Sequence, residues 1–79
     1  MKIPVIKKLV ETYTIEALQA AEAALLEEQE PAIEIEGEDE GEKLTHAFAA
    51  AFILNEMAEG KDFKTALRTY TQKVRGSIS

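Results

Sequence analysis

Cysteine is missing from the chain, which excludes disulfide staples, thiolate metal sites and cysteine nucleophiles and fits a reducing compartment. Glycine is sparse, and Gly37, Gly41, Gly60 and Gly76 form neither a GxGxxG turn nor a Walker loop, so no nucleotide cradle is written here. Long apolar runs are also lacking. The longest, Ala47 to Leu54, falls far short of the ~20 residues needed to cross a bilayer. The opening MKIPVIKKLVE has a basic residue and a brief apolar run, but Lys7 and Lys8 interrupt it before a signal-peptide core is complete. No long period repeats, and no stretch is long enough or proline-rich enough to be a linker. The expectation is a cytoplasmic protein with a single domain over residues 1–79.

Seventy-nine residues lie near the size at which one core barely offsets chain entropy, so a second copy of the chain is the expected source of extra burial. The formal charge of −6 disfavours a nucleic-acid backbone as partner. Distribution matters more than the sum. Ten acids and no base occur from Glu22 to Glu42, whereas Lys61, Lys64, Arg68, Lys73 and Arg75 near the C-terminus are opposed by Asp62 alone. That basic face lacks base-stacking aromatics, which again argues against nucleic acid and leaves Lys64 and Arg68 as candidates for a charged protein contact.

What is present is helical patterning around one segment, EKLTHAFAAAFILNEMAE over 42–59. Leu44, Phe48, Ala51 and Leu54 cover one side of it and Ala50, Ile53 and Met57 another, so it needs cover from several directions. The alanines favour helix and let neighbouring backbones approach. Phe48 and Leu54 are therefore expected in the core. Upstream, Pro4 suits a first helical turn, and Ile6, Leu9, Val10 and Tyr13 follow at helical spacing to about Glu11. The next stripe, Ile15, Leu18, Leu25 and Leu26, lies nearly opposite in phase, so one straight helix cannot bury both. A break at Thr12 to Thr14 is predicted, with Thr14 as N-cap and a second helix to about Gln29, stopped by Pro31. Glu22 falls inside that second stripe, where a carboxylate must reach water, meet a cation or hold its proton.

Ala32-Ile33-Glu34-Ile35-Glu36 alternates apolar and polar positions as a half-buried strand does. A lone strand must find a partner in the same chain or in a second chain, or remain extended coil. Residues Lys2 to Ile6 serve poorly because Pro4 cannot donate, so pairing across a two-fold axis, with Ile33 and Ile35 at the contact, is the expectation. An acidic loop, Glu36 to Glu42, leads into the central helix, where acids complement the helix dipole. Gly60 is placed to end that helix and Asp62 to cap the next, whose apolar positions are Phe63, Ala66, Leu67, Tyr70 and Val74. The tail Gly76 to Ser79 is expected to fray.

Chemistry-bearing patterns are thin. Glu36, Glu38 and Glu40 ahead of Gly41 imitate the start of an EF-hand loop, but Ala47 falls where the bidentate Glu belongs. His46 is the only histidine; a zinc site there needs three more ligands, and a hydrogen bond to a nearby carboxylate explains it as well. Glu36, Glu38, Glu40 and His46 are the nearest approach to a metal set, and no residue commits to a catalytic or cofactor role.

MKIPVIKKLVE, the IEIEGEDEGEKLTHAFAAAFI block and the DFKTALRTYTQKVRGSIS ending together resemble a group of short bacterial proteins of the Bacteroidetes type, over nearly the whole chain. That resemblance implies a bacterial cytoplasmic setting and carries over no site residue. The combined expectation is a mainly α fold, about four helical segments around helix 42–59 with one short strand or extended segment at 32–36. In function it is a non-enzymatic interaction or structural module that forms a homodimer. The alternative is a small-molecule- or metal-dependent enzyme using the acidic loop with Glu22 or His46.

Overall fold

The computed structural model describes residues 2–78, which form four α-helices: α1 (Ile3–Thr12), α2 (Ile15–Leu26), α3 (Glu40–Ala58) and α4 (Phe63–Ile78). Helix α3 packs against each of the other three and is the centre of the fold. Its inward residues are small, with Ala47, Ala49 and Ala50 fully buried beside Ile53. Small side chains let α1, α2 and α4 approach its backbone, and the larger residues Ile6, Leu9, Leu18, Leu25 and Tyr70 fill the space from outside. Each such aliphatic side chain contributes about 1.5–3 kcal/mol through burial. The molecule is flattened, 31 × 29 × 19 Å along its principal axes.

The break between α1 and α2 falls where the phase argument requires it. The Tyr13 N–H still bonds to the Leu9 carbonyl, and the Thr14 hydroxyl then accepts from the Ala17 N–H at 3.2 Å, capping α2. Opposite stripes can now both face inward: Ile6, Leu9 and Val10 from α1, and Leu18, Ala21 and Leu25 from α2.

Helix α2 ends at Leu26 rather than near Gln29, and Pro31 is not what stops it. Glu28 takes a left-handed backbone with φ 59°, its N–H bonds to the Leu25 carbonyl, and the Gln29 N–H reaches back to Ala24 at 2.8 Å. That paired closure is a Schellman motif. Helix α3 closes in the same way with Gly60 at φ 106°, and the Asp62 carboxylate then caps α4 by accepting from the Thr65 N–H at 2.8 Å. Helix α4 continues through Gly76 to Ile78, the stretch where fraying was expected; Ser79 lies outside the described residues.

The strand expected at 32–36 is absent, and no strand occurs among the described residues. The alternation is nonetheless expressed as burial: Ile35 is buried, Ile33 is half-buried, and Ala32, Glu34 and Glu36 are exposed. The segment docks through its isoleucine side chains onto the helices instead of through a backbone ladder. Its weak candidate partner, Lys2 to Ile6, is taken up by α1. At the end of the segment Gly37 passes so close to α3 that a Cβ would meet the Lys43 backbone nitrogen at 2.9 Å.

Candidate functional site

Large apolar side chains gather on one outer face of the bundle. Phe48 and Phe52 stand one helical turn apart on α3, and both rings pack against Tyr70 of α4, with centroids 6.1 and 5.5 Å away at tilted angles. Burial pushes the Tyr70 phenol pKa up. Lys73, one turn further along α4, holds its ammonium 5.5 Å from the Phe52 ring centre. Across α3 from α4, α2 contributes Leu26, and Glu22 one turn before it.

Three adjoining depressions meet at Phe48. One lies between α2 and α3, the second between α3 and α4, and the third is bordered by Glu22 and Leu26, by Leu44, Thr45 and Phe48, and by Tyr70. Phe48 is 48 % exposed and Leu26 64 %, with Val74 at 40 % on the α4 side. Phe48 was expected in the core. It is not there because the buried side of α3 runs through Ala47, Ala50 and Ile53, and no other helix closes over the side carrying Phe48. Leu54 is half-buried against the core cluster.

The ionisable residues on the two flanks differ in sign. Helix α2 carries Glu16 and Glu22, followed by Glu27 and Glu28, and no base. Helix α4 carries Lys64, Arg68, Lys73 and Arg75 and no acid. Glu22 is half-buried at the α2 edge of the groove, and Lys73 stands at the α4 edge.

His46 is fully buried, and its partners are backbone groups rather than the expected carboxylate. Its Nε2 accepts from the Lys2 N–H at 3.0 Å, which places the ring proton on Nδ1, donating to the Glu36 carbonyl at 2.7 Å. One imidazole thus fastens the start of α1 and the end of the 27–39 loop to α3. Glu36 and Glu38 border the depression beside His46, while Glu40 does not; Glu22 lies in the separate apolar groove. Among the described residues no three His, Cys, Asp or Glu side chains converge as a metal set. Much of the acidic loop serves α3 itself. The Asp39 carboxylate accepts from the Glu42 N–H at 2.7 Å, and Glu42 in turn accepts from the Glu38 N–H at 3.1 Å, a variant of the capping box.

Of the expected interaction residues, Lys64 and Arg68 are exposed on α4, whereas Ile35 is 5 % exposed and occupied within its own chain. The exposed groove residues Leu26, Phe48 and Val74 were not singled out as a surface from sequence. A usable signal existed: Phe48 and Phe52, two bulky rings at i and i+4, share α3 with a separate face made of alanines, and only the alanine face permits close helix packing.

Over residues 1–79 the chain matches a family of unknown function, DUF6952. The chain belongs to that family. No curated protein and no solved structure matches it. No helix of this DUF6952 protein, among the described residues, is long and apolar enough to cross a membrane.

Proposed function

We propose that the chain is a small, non-enzymatic interaction module of the bacterial cytoplasm that works as a homodimer, with the groove around Phe48 as its contact face. The observation that carries this reading is the exposure of Phe48, at 48 %, on the helix that is otherwise the centre of the core. Exposed apolar patches bordered by polar residues mark interaction surfaces, and this one is bordered by Gln19, Glu22, Asn55 and Lys73.

The charge pattern supports a second copy as occupant: a strip with the acid-only α2 on one flank and the base-only α4 on the other is complementary to itself. This face replaces Ile33 and Ile35 as the proposed contact, since Ile35 already packs within its own chain. Lys64 and Arg68 remain open on α4 for a further protein partner. The enzymatic alternative has less support: Glu36 and Glu38 border the depression beside His46, but both ring nitrogens of His46 are engaged by backbone groups, and Glu22 lies in a different depression.

Sedimentation equilibrium from low to high micromolar concentration tests the proposal. The expected result is a species of twice the chain mass, reduced to the chain mass by Leu26→Glu or Phe48→Ser with the helical circular dichroism unchanged. A wild-type chain that stays monomeric at high micromolar concentration overturns it.

A further inference from the structure

We infer that the second copy docks with its α3 parallel to the first, the two-fold axis running along α3, so that Glu22 of each copy meets Lys73 of the other. The inference rests on the homodimer reading and adds the orientation, which follows from symmetry and charge.

The contact face is a strip with α2 on one flank, the Phe48–Phe52 row along its middle and α4 on the other flank. Two simple two-fold axes bring this strip against itself. An axis across α3 makes the two α3 helices antiparallel and lays α2 on α2 and α4 on α4. An axis along α3 keeps them parallel and exchanges the flanks, laying α2 of one copy on α4 of the other.

Charge separates these choices. The first arrangement sets the acid-only helix against its own copy and the base-only helix against its own copy. The second opposes acid to base along both flanks. Glu22 makes the difference sharper because it is already half-buried and borders two of the three depressions. A partner covering the groove removes more water from its carboxylate, which is costly unless a cation arrives with it. Lys73 stands at the matching position on the opposite flank, with its ammonium near the Phe52 ring. Like-charge juxtaposition is what suppresses a wrong register in such contacts.

Charge exchange and label distances test the orientation. In the parallel arrangement the Glu22–Lys73 pair occurs twice per dimer, so E22K and K73E each raise the dimer Kd by about tenfold or more, and the E22K/K73E double variant recovers affinity close to wild type. Two single-cysteine chains, Thr45→Cys and Asn55→Cys, supply an independent readout because the native chain has no cysteine. Spin labels at both positions read similarly short distances across a parallel axis. Across an antiparallel axis the axial separations at the two positions add up to about 30 Å. Single exchanges that leave Kd unchanged, or label separations whose axial parts sum to about 30 Å (about 15 Å each when the axis crosses midway between Phe48 and Phe52, one short and one long when it crosses elsewhere), overturn the parallel dimer while leaving the homodimer intact. A wild-type chain that does not dimerise overturns both.

Discussion

Glu28 and Gly60 occupy the same position in equivalent closures of α2 and α3, each with a positive φ, 59° at Glu28 and 106° at Gly60. In both places the following residue donates its N–H back into the last helical turn, Gln29 to Ala24 and Lys61 to Glu56. Only one of the two has the side-chain-free residue that this backbone favours. A left-handed L-residue costs roughly 1–2 kcal/mol, and glycine's extra freedom in the unfolded chain offsets part of what its introduction recovers. Glu28→Gly is therefore expected to stabilise the fold by about 0.5–1 kcal/mol, raising Tm by several degrees. Gly60→Ala should lower stability by about 1–2 kcal/mol. Thermal melts of the two variants beside wild type provide the comparison, and equal melting temperatures for all three would contradict the account.

His46 offers a test of how the N-terminus and the long loop are held. Replacing it with Leu fills most of the space but leaves the Lys2 N–H and the Glu36 carbonyl without their partner. Losing those bonds should cost about 2–4 kcal/mol in urea unfolding. Because both bonds fasten peripheral segments, amide exchange should rise first in α1 and over 34–38. A loss spread evenly through α2 and α4 would contradict the clamp.

Much of the helical framework was legible from local rules. Thr14, Asp62 and Gly60 are sites where the backbone needs a particular side chain or none, so their roles show in sequence. The end of α2 was hidden because Glu28 performs a task usually given to glycine. The alternation at 32–36 correctly marked which residues turn inward, but alternation describes burial and says nothing about whether a ladder partner exists. His46 and Phe48 were hardest to place. Each depends on which face of α3 the other helices cover, and that is settled by tertiary packing against the alanines. The exposed groove was obscured for the same reason, since Phe48 reads as core until α2 and α4 are seen to lie on either side of it.

The Asp62 cap introduces a pH dependence with a defined sign. The hydrogen bonds from Thr65 hold the Asp62 carboxyl below its ordinary range, and the Lys61 ammonium, 2.9 Å from Glu56, does the same to that carboxyl. A carboxyl lowered in the folded state stabilises at pH values above its unfolded pKa, and the contribution is lost as pH falls through the lowered value. Stability should therefore decline on acidification through the carboxylate range and below. Asp62→Asn, which keeps a capping oxygen but cannot titrate, should make that decline shallower. Urea midpoints measured from neutral to acidic pH check this, and a slope unchanged by Asp62→Asn would remove Asp62 from the explanation.

Ile53 and Phe48 lie five residues apart on α3, yet truncating them should have different consequences. Ile53 is fully buried within its own chain, so Ile53→Ala is expected to cost about 2–5 kcal/mol at any protein concentration. Phe48 is half exposed and has only part of its ring in contact with Tyr70. In dilute solution, where monomers dominate, Phe48→Ala should cost less than Ile53→Ala, because a side chain already half in water loses less on removal. If the groove is the proposed dimer contact, the wild type gains the contact free energy at high concentration and the Phe48 variant does not, so the measured difference should widen with concentration. The discriminating measurement is a pair of melting curves for each variant at concentrations two orders of magnitude apart. A Phe48→Ala deficit that is large and independent of concentration would return Phe48 to a purely intramolecular role; a deficit that grows with concentration while that of Ile53→Ala stays fixed places the energetics of Phe48 between copies of the chain.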